Sequence, residues 1–234
     1  MKPSQTTVRA SRNQYLKWLD KSWWRIRGWN EGFRNMVLWY SVAGAAVMSE
    51  GAADSILDKA IKGKKLPGTR AETWRQAKAI SCLVCDDKKT NPIDWFTGNC
   101  GCVFSAWQSL DDVKNIGPKI ASWLMRDLGL MRDYSDGSGG KQVCLLPKPD
   151  RSWYEKLPEE CQALFVPIDV WVHKGARICG IGGLIKKHDA NKIQLDPDLH
   201  VDASTEIVRW ARKNGYDPRD LDIFWYLNGS GKAD

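Results

Sequence analysis

Two residues in two short motifs could carry covalent chemistry: the amine of Lys119 and the carboxylate of Asp169. Lys119 lies in Val113-Lys-Asn-Ile-Gly-Pro-Lys-Ile-Ala-Ser-Trp-Leu-Met-Arg126. The pattern predicts a helix ending in Ser109-Leu-Asp-Asp-Val-Lys114, a tight turn at Asn115-Ile-Gly-Pro118 and a second helix opened by Pro118. Proline suits that first position because its missing N–H would be unsatisfied there anyway. In a helix-hairpin-helix turn, successive backbone N–H groups and the new helix's N-terminus point the same way and suit a phosphate. Lys114, Asn115, Ile116 and Gly117 are therefore the expected contacts to a DNA backbone, and Lys119, one step into the helix, is the candidate nucleophile.

Asp169 follows the extended Val166-Pro-Ile and precedes a helical run, the position of an N-cap whose carboxylate accepts from first-turn N–H groups. An amine nucleophile must be neutral. A free lysine, with a pKa of about 10.4, is neutral roughly once in 2,500 at pH 7, so burial or nearby positive charge has to lower that value. A carboxylate beside it opposes the shift while stabilising positive charge at a reacting carbon. Plain structural readings stand next to these. Gly-Pro is common punctuation between helices, and Asp169 can be a cap and nothing more.

The chain has 234 residues, a net charge of +7, 13 tryptophans and 7 cysteines. That length suits one domain or two tightly joined lobes. The charge fits a polyanion partner. No apolar run approaches the roughly 20 residues of a spanning helix, and the N-terminus is polar without a leader signature. The odd cysteine number suits reduced thiols in an intracellular protein. Cys82-Leu-Val-Cys85 with Cys100-Gly-Cys102 could offer four thiolates to zinc, but buried thiols are the stronger reading, and no metal or cofactor is expected. His173, His188 and His200 have no ligand spacing, and the glycines at 180, 182 and 183 follow a helix where a dinucleotide site needs them to open one.

Helical periodicity must position these residues, and almost no strand signal is present, so the expected class is all-α. Residues 1–12 read as loose. Helices are expected over 13–29, 33–48, 55–61, 73–85, 170–179, 203–213 and 219–227, the last started by Asp217-Pro218 and stopped by Gly229. Residues 129–149, with Asp136-Gly-Ser-Gly-Gly140, read as a loop insertion, and 186–199 as a polar connection.

Lys119 in the hairpin, with Asp169 after Val-Pro-Ile, resembles the helix-hairpin-helix DNA glycosylases of the endonuclease III superfamily. Asn13-Gln-Tyr15 and Leu221-Asp-Ile-Phe-Trp-Tyr-Leu-Asn-Gly229 resemble the archaeal-type 8-oxoguanine glycosylase/lyase branch. The resemblance implies two lobes around a DNA cleft: 32–128 carrying the hairpin (109–126), and 1–31 with 150–234. It implies excision of 8-oxoguanine or a related modified base through a lysine–sugar imine. Lys119 and Asp169 would be catalytic. Gln14 and Asp222 would contact the base edge, and Trp123 and Tyr226 would sandwich the ring, with Trp225 the fallback for Tyr226. The implied partner is double-stranded DNA with a damaged base, met by a monomer inside the cell, in the cytoplasm and nucleoid or the nucleus. The chain departs from the family at Asn115 for the first hairpin glycine, at Trp171 where many members carry histidine, in the 50 positions from 119 to 169, and in lacking a four-cysteine iron–sulfur loop near residue 234. Two alternatives stay open: a non-catalytic hairpin DNA-binding protein, and a monofunctional glycosylase that uses Asp169 and water.

Overall fold

The computed structural model describes residues 2–23, 29–44, 50–84, 103–134, 149–183 and 197–232. These residues form helices and no strand: α1 (Gln5–Trp23), α2 (Trp29–Ala43), α3 (Glu50–Ile61), α4 (Thr69–Val84), α5 (Val103–Asp111), α6 (Pro118–Tyr134), α7 (Ser152–Glu155), α8 (Glu159–Ala163), α9 (Val170–Ile178), α10 (Pro197–Lys213) and α11 (Pro218–Ser230). The all-α expectation therefore holds for the described residues. None of these helices is long and apolar enough to cross a membrane.

The central element is α6. From Ile120 to Tyr134 nearly every side chain is buried, as expected of a helix apolar around most of its circumference. It packs on α2, α5 and α10. Leu128, Leu130, Met131 and Tyr134 continue the buried pattern, so the helix runs through the expected start of the insertion at 129. Gly129 reads as a breaker in sequence but is a packing residue here. A Cβ on it would stand 3.4 Å from Trp153, Phe165 and Arg219. The remainder of the expected insertion, 135–148, lies outside the described residues, as do most of the expected connection at 186–199 and Cys85, Cys100 and Cys102.

α1 begins at Gln5, inside the stretch expected to be loose. Ser4 Oγ accepts from the Thr7 N–H at 3.1 Å and caps it. Val8 is buried, and the Tyr216 hydroxyl donates to the Pro3 carbonyl at 2.5 Å. Residues 5–12 carry little apolar periodicity, so only the cap and one anchored valine could have signalled the helix. α11 likewise runs past its expected stop at Gly229 and ends at Gly231, which takes a left-handed φ of 71°. Gly229 is a contact residue: a Cβ there would come within 2.7 Å of Trp171.

Three clusters of buried side chains build the interior. The first joins α1, α2, α5, α6 and α11 around Phe33, Trp107, Tyr154 and Phe165. The second joins Val8, Val166 and Ile168 to α9, α10 and α11. The third lies among α2, α3 and α4. Where α9 crosses α11, Gly175 lies directly on the Trp225 indole, and a Cβ there would fall 2.2 Å from it. Only glycine allows that approach, and it seats the helix capped by Asp169 against the helix that carries Asp222 and Tyr226.

Candidate active site

The hairpin is anchored by α4. Asn115 takes φ 68°, the left-handed conformation expected where the family has glycine. Its side-chain amide donates to Thr73 Oγ1 at 2.6 Å and to the Thr69 carbonyl at 3.2 Å. Thr73 in turn donates to the Lys114 carbonyl at 2.7 Å. Two of the four expected phosphate contacts are changed by this anchoring. The Lys114 N–H donates to Gln76 Oε1 at 2.6 Å, and the Ile116 N–H donates to the Val113 carbonyl at 2.8 Å. Ile116 is a buried anchor. Asn115, Gly117 and the first turn of α6 are left for an anion, and the space beside Gly117 is open.

Lys119 is half-buried, and its Nζ donates to the Gly44 carbonyl at 3.2 Å, just past the end of α2. Burial lowers its pKa from the ordinary lysine value, and the charge of Asp169 opposes the shift. Asp169 caps α9, its Oδ1 accepting from the N–H groups of Trp171 and Val172, both at 2.8 Å. Burial raises its pKa, while those two N–H groups and Lys119 hold it down. The residues at 119 and 169 thus come within electrostatic reach of each other. Burial pushes each toward its neutral form and their attraction resists it.

A cavity of about 120 Å³ is lined by Gln14, Tyr15, Trp18, Trp123, Tyr226 and Lys232, with Glu50 and Leu227, and neither Lys119 nor Asp169 is among its lining residues. Three of the four expected base-contacting residues therefore share one pocket. The fourth does not. Asp222 is wholly buried, its Oδ2 bonded to Arg126 Nη1 and its Oδ1 without a hydrogen-bond partner. Burial raises its pKa to about 7 although Arg126 pulls the other way. Trp225 packs into the second core on Gly175, so the helix register turns Tyr226 to the pocket. Trp123 and Tyr226 do not form an open sandwich. Their ring centroids are 5.8 Å apart at 61°, edge to face.

Arg126 organises the pocket floor. Its Nε donates to Asp127 Oδ1 at 2.9 Å and its Nη2 to the Tyr15 hydroxyl at 2.5 Å. Tyr15 donates to Asp127 Oδ2 at 2.8 Å, Tyr40 donates to the same oxygen, and Trp123 Nε1 donates to the Tyr15 oxygen at 3.1 Å. The guanidinium also lies over the Tyr15 and Trp123 rings, 4.7 and 5.8 Å from their centroids. Trp123 is thereby fixed through its N–H, one ring face and one edge. An Arg-Asp pair inside the apolar run Leu124-Met125-Arg-Asp-Leu128 was the sequence signal for this network.

His200, which sequence spacing passed over, ties the two catalytic candidates together. It is buried, and its Nε2 lies 3.0 Å from Ser122 Oγ, one turn beyond Lys119. Trp107 Nε1 donates to the same hydroxyl oxygen at 2.8 Å. The Val166 carbonyl, three residues before Asp169, also accepts from the ring. Burial lowers the His200 pKa to about 3, so the ring is neutral. Among the described residues no group of three His, Cys, Asp or Glu side chains could hold a metal, and Cys82 is exposed on α4. The chain matches no protein-family model, no curated protein and no solved structure.

Proposed function

We propose that the chain is a base-excision DNA glycosylase with lyase activity, acting on 8-oxoguanine or a related modified guanine in duplex DNA. The observation that carries this reading is that Lys119 and Asp169 lie within electrostatic reach of each other, while Trp123, one turn past Lys119, faces a pocket together with Tyr226. The hairpin glycine, Gly117, two residues before the lysine, has open space beside it. In the proposed reaction the target nucleotide leaves the stack. The neutral Lys119 amine attacks the sugar C1′, the C1′–base bond breaks, and the base departs with a proton. The C1′–O4′ bond then breaks, the second amine proton passes to O4′ and an imine forms, which allows loss of the 3′-phosphate by elimination. Asp169 stabilises the positive sugar as the base leaves.

The proposed arrangement has two lobes, residues 32–128 and residues 1–31 with 150–234, meeting along α6. Packing of α1 on α11, and of α2 on α3 and α4, supports it. The proposed partner is lesion-bearing double-stranded DNA inside the cell, bound by one copy of the chain, and the net charge of +7 suits it.

The test is borohydride trapping on a duplex with one 8-oxoguanine, using wild type beside Lys119→Gln. A crosslink with wild type alone is the expected result. Alkali-labile sites without a crosslink would assign the chemistry to Asp169 and water. Binding with neither product would leave a non-catalytic DNA-binding protein.

A further inference from the structure

Lys232, just past the end of α11, lines the pocket shared by Trp123 and Tyr226. Gly231, in its left-handed conformation, folds the chain back so that the Lys232 N–H donates to the Leu227 carbonyl at 3.0 Å. The Lys232 carbonyl accepts from Gln14 Nε2 at 2.9 Å. Its ammonium donates to the Tyr226 hydroxyl at 3.1 Å, pairs with Glu50 Oε1 and lies over the Tyr226 ring, 5.5 Å from the centroid. Gln14, Glu50 and Tyr226 all line the cavity, so Lys232 engages three of the polar side chains that a ligand there would meet. The rings agree with a shut pocket. A base between Trp123 and Tyr226 needs two stacking layers of roughly 3.4 Å each, with near-parallel faces. The observed pair is closer, at 5.8 Å, and tilted by 61°.

We propose that Lys232 latches this pocket through Glu50 and Tyr226, and that a guanine-type base opens it by replacing the ammonium on Glu50. The proposal rests on the pocket being the base site of the glycosylase reading. Glu50 and Lys232 are each 44% exposed, and an ion pair so exposed holds weakly enough for a ligand to displace it. The vacated carboxylate has only acceptors to offer. A guanine-type base presents two adjacent N–H donors and fits it. An adenine presents an acceptor beside its amino group and leaves one carboxylate oxygen opposite a lone pair, so it cannot replace what Lys232 gave. Gln14 stays bonded to the Lys232 backbone carbonyl, which displacement of the ammonium leaves in place. Asp222 cannot do the same work, because Arg126 already holds it in the core. The carboxylate that reads the base is therefore Glu50, at the start of α3.

Calorimetric titration of the full chain with free 2′-deoxyguanosine, 8-oxo-2′-deoxyguanosine and 2′-deoxyadenosine tests this without DNA or catalysis. Lys232→Met should tighten binding of both guanine-type nucleosides about five- to tenfold and leave 2′-deoxyadenosine unchanged. Glu50→Gln should weaken the guanine-type nucleosides at least tenfold and abolish the preference over 2′-deoxyadenosine. Equal affinities in Lys232→Met and wild type, a preference that survives Glu50→Gln, or no nucleoside binding by either wild type or Lys232→Met would overturn the proposal. Borohydride trapping of the same proteins separates the two readings. Wild type that traps on a lesion duplex while its nucleoside binding ignores Glu50 keeps the glycosylase and loses the latch.

Discussion

A lysine that attacks a sugar must first lose its proton, and the carboxylate that helps the sugar ionise resists that loss. Lys119 and Asp169 are held in this opposition. Burial is the larger influence on each, lowering the lysine and raising the aspartate, and their mutual attraction is the smaller one. A lysine with a lowered pKa becomes neutral at lower pH. Single-turnover excision should therefore rise with pH and level off below the ordinary lysine value. Asp169→Asn keeps the cap, since asparagine caps helices as well as aspartate does. It removes the charge that holds the lysine proton. The rate should fall at least a hundredfold, while the pH at which it levels off moves lower; a fall in rate with an unmoved profile would show that Asp169 does not act on Lys119. Legibility differs sharply among the single residues. Lys119, Asp169, Gln14, Trp123 and Tyr226 were readable because motif and spacing point at them. Asp222 was misplaced because its partner, Arg126, lies 96 positions away, and no local pattern announces that ion pair.

At the scale of elements, the spacing between α6 and the cap of α9 depends on α10. His200 bridges Ser122 on α6 and the Val166 carbonyl, and it stacks on Trp107 with centroids 6.3 Å apart at 21°. His200→Phe keeps an aromatic ring on Trp107 and removes both hydrogen bonds, leaving the Val166 carbonyl with only Ser204 Oγ at 2.9 Å. Excision should drop tenfold or more with little change in duplex affinity. His200→Asn, which can still donate to the carbonyl, should recover part of the rate. A loss of stability with an unaltered rate in the surviving folded protein would assign His200 to packing alone. Element types and centres were legible from the apolar period. Element ends were not. α1 begins early, and α6 and α11 run through Gly129 and Gly229, because those glycines serve packing against Phe165, Trp153 and Trp171. Sequence cannot distinguish a glycine that ends a helix from one that admits a neighbour.

Across the whole molecule, the first core and the helices of the second are joined by buried charge as well as apolar contact. Arg219, at the start of α11, is fully buried, pairs with Asp133 at 2.8 Å and Asp217 at 3.0 Å, and lies over the Tyr154 ring, 3.8 Å from its centroid. Removing Arg219 leaves Asp133 with only the Trp153 N–H and Asp217 with Arg151, in a dry interior where a lost partner is costly. Arg219→Met should cost about 3–5 kcal/mol of folding stability, read as a lower denaturant midpoint. A change of less than 1 kcal/mol would mean that the pair is not closing the α6–α11 junction.

Local chemistry in the chain settled the helical class, the hairpin with its left-handed Asn115 and the cap at Asp169. Each of these depends on a few neighbouring positions whose backbone preferences are strong. Tertiary structure decided what meets what. Lys119 comes within electrostatic reach of Asp169 across 50 positions, Asp222 is given to Arg126 and not to the pocket, His200 bonds Ser122 on α6, and Lys232 bonds Tyr226. These pairings arise from burial. Taking charges out of water forces each to find a partner, and which partner is in reach depends on how helices far apart in the chain pack together.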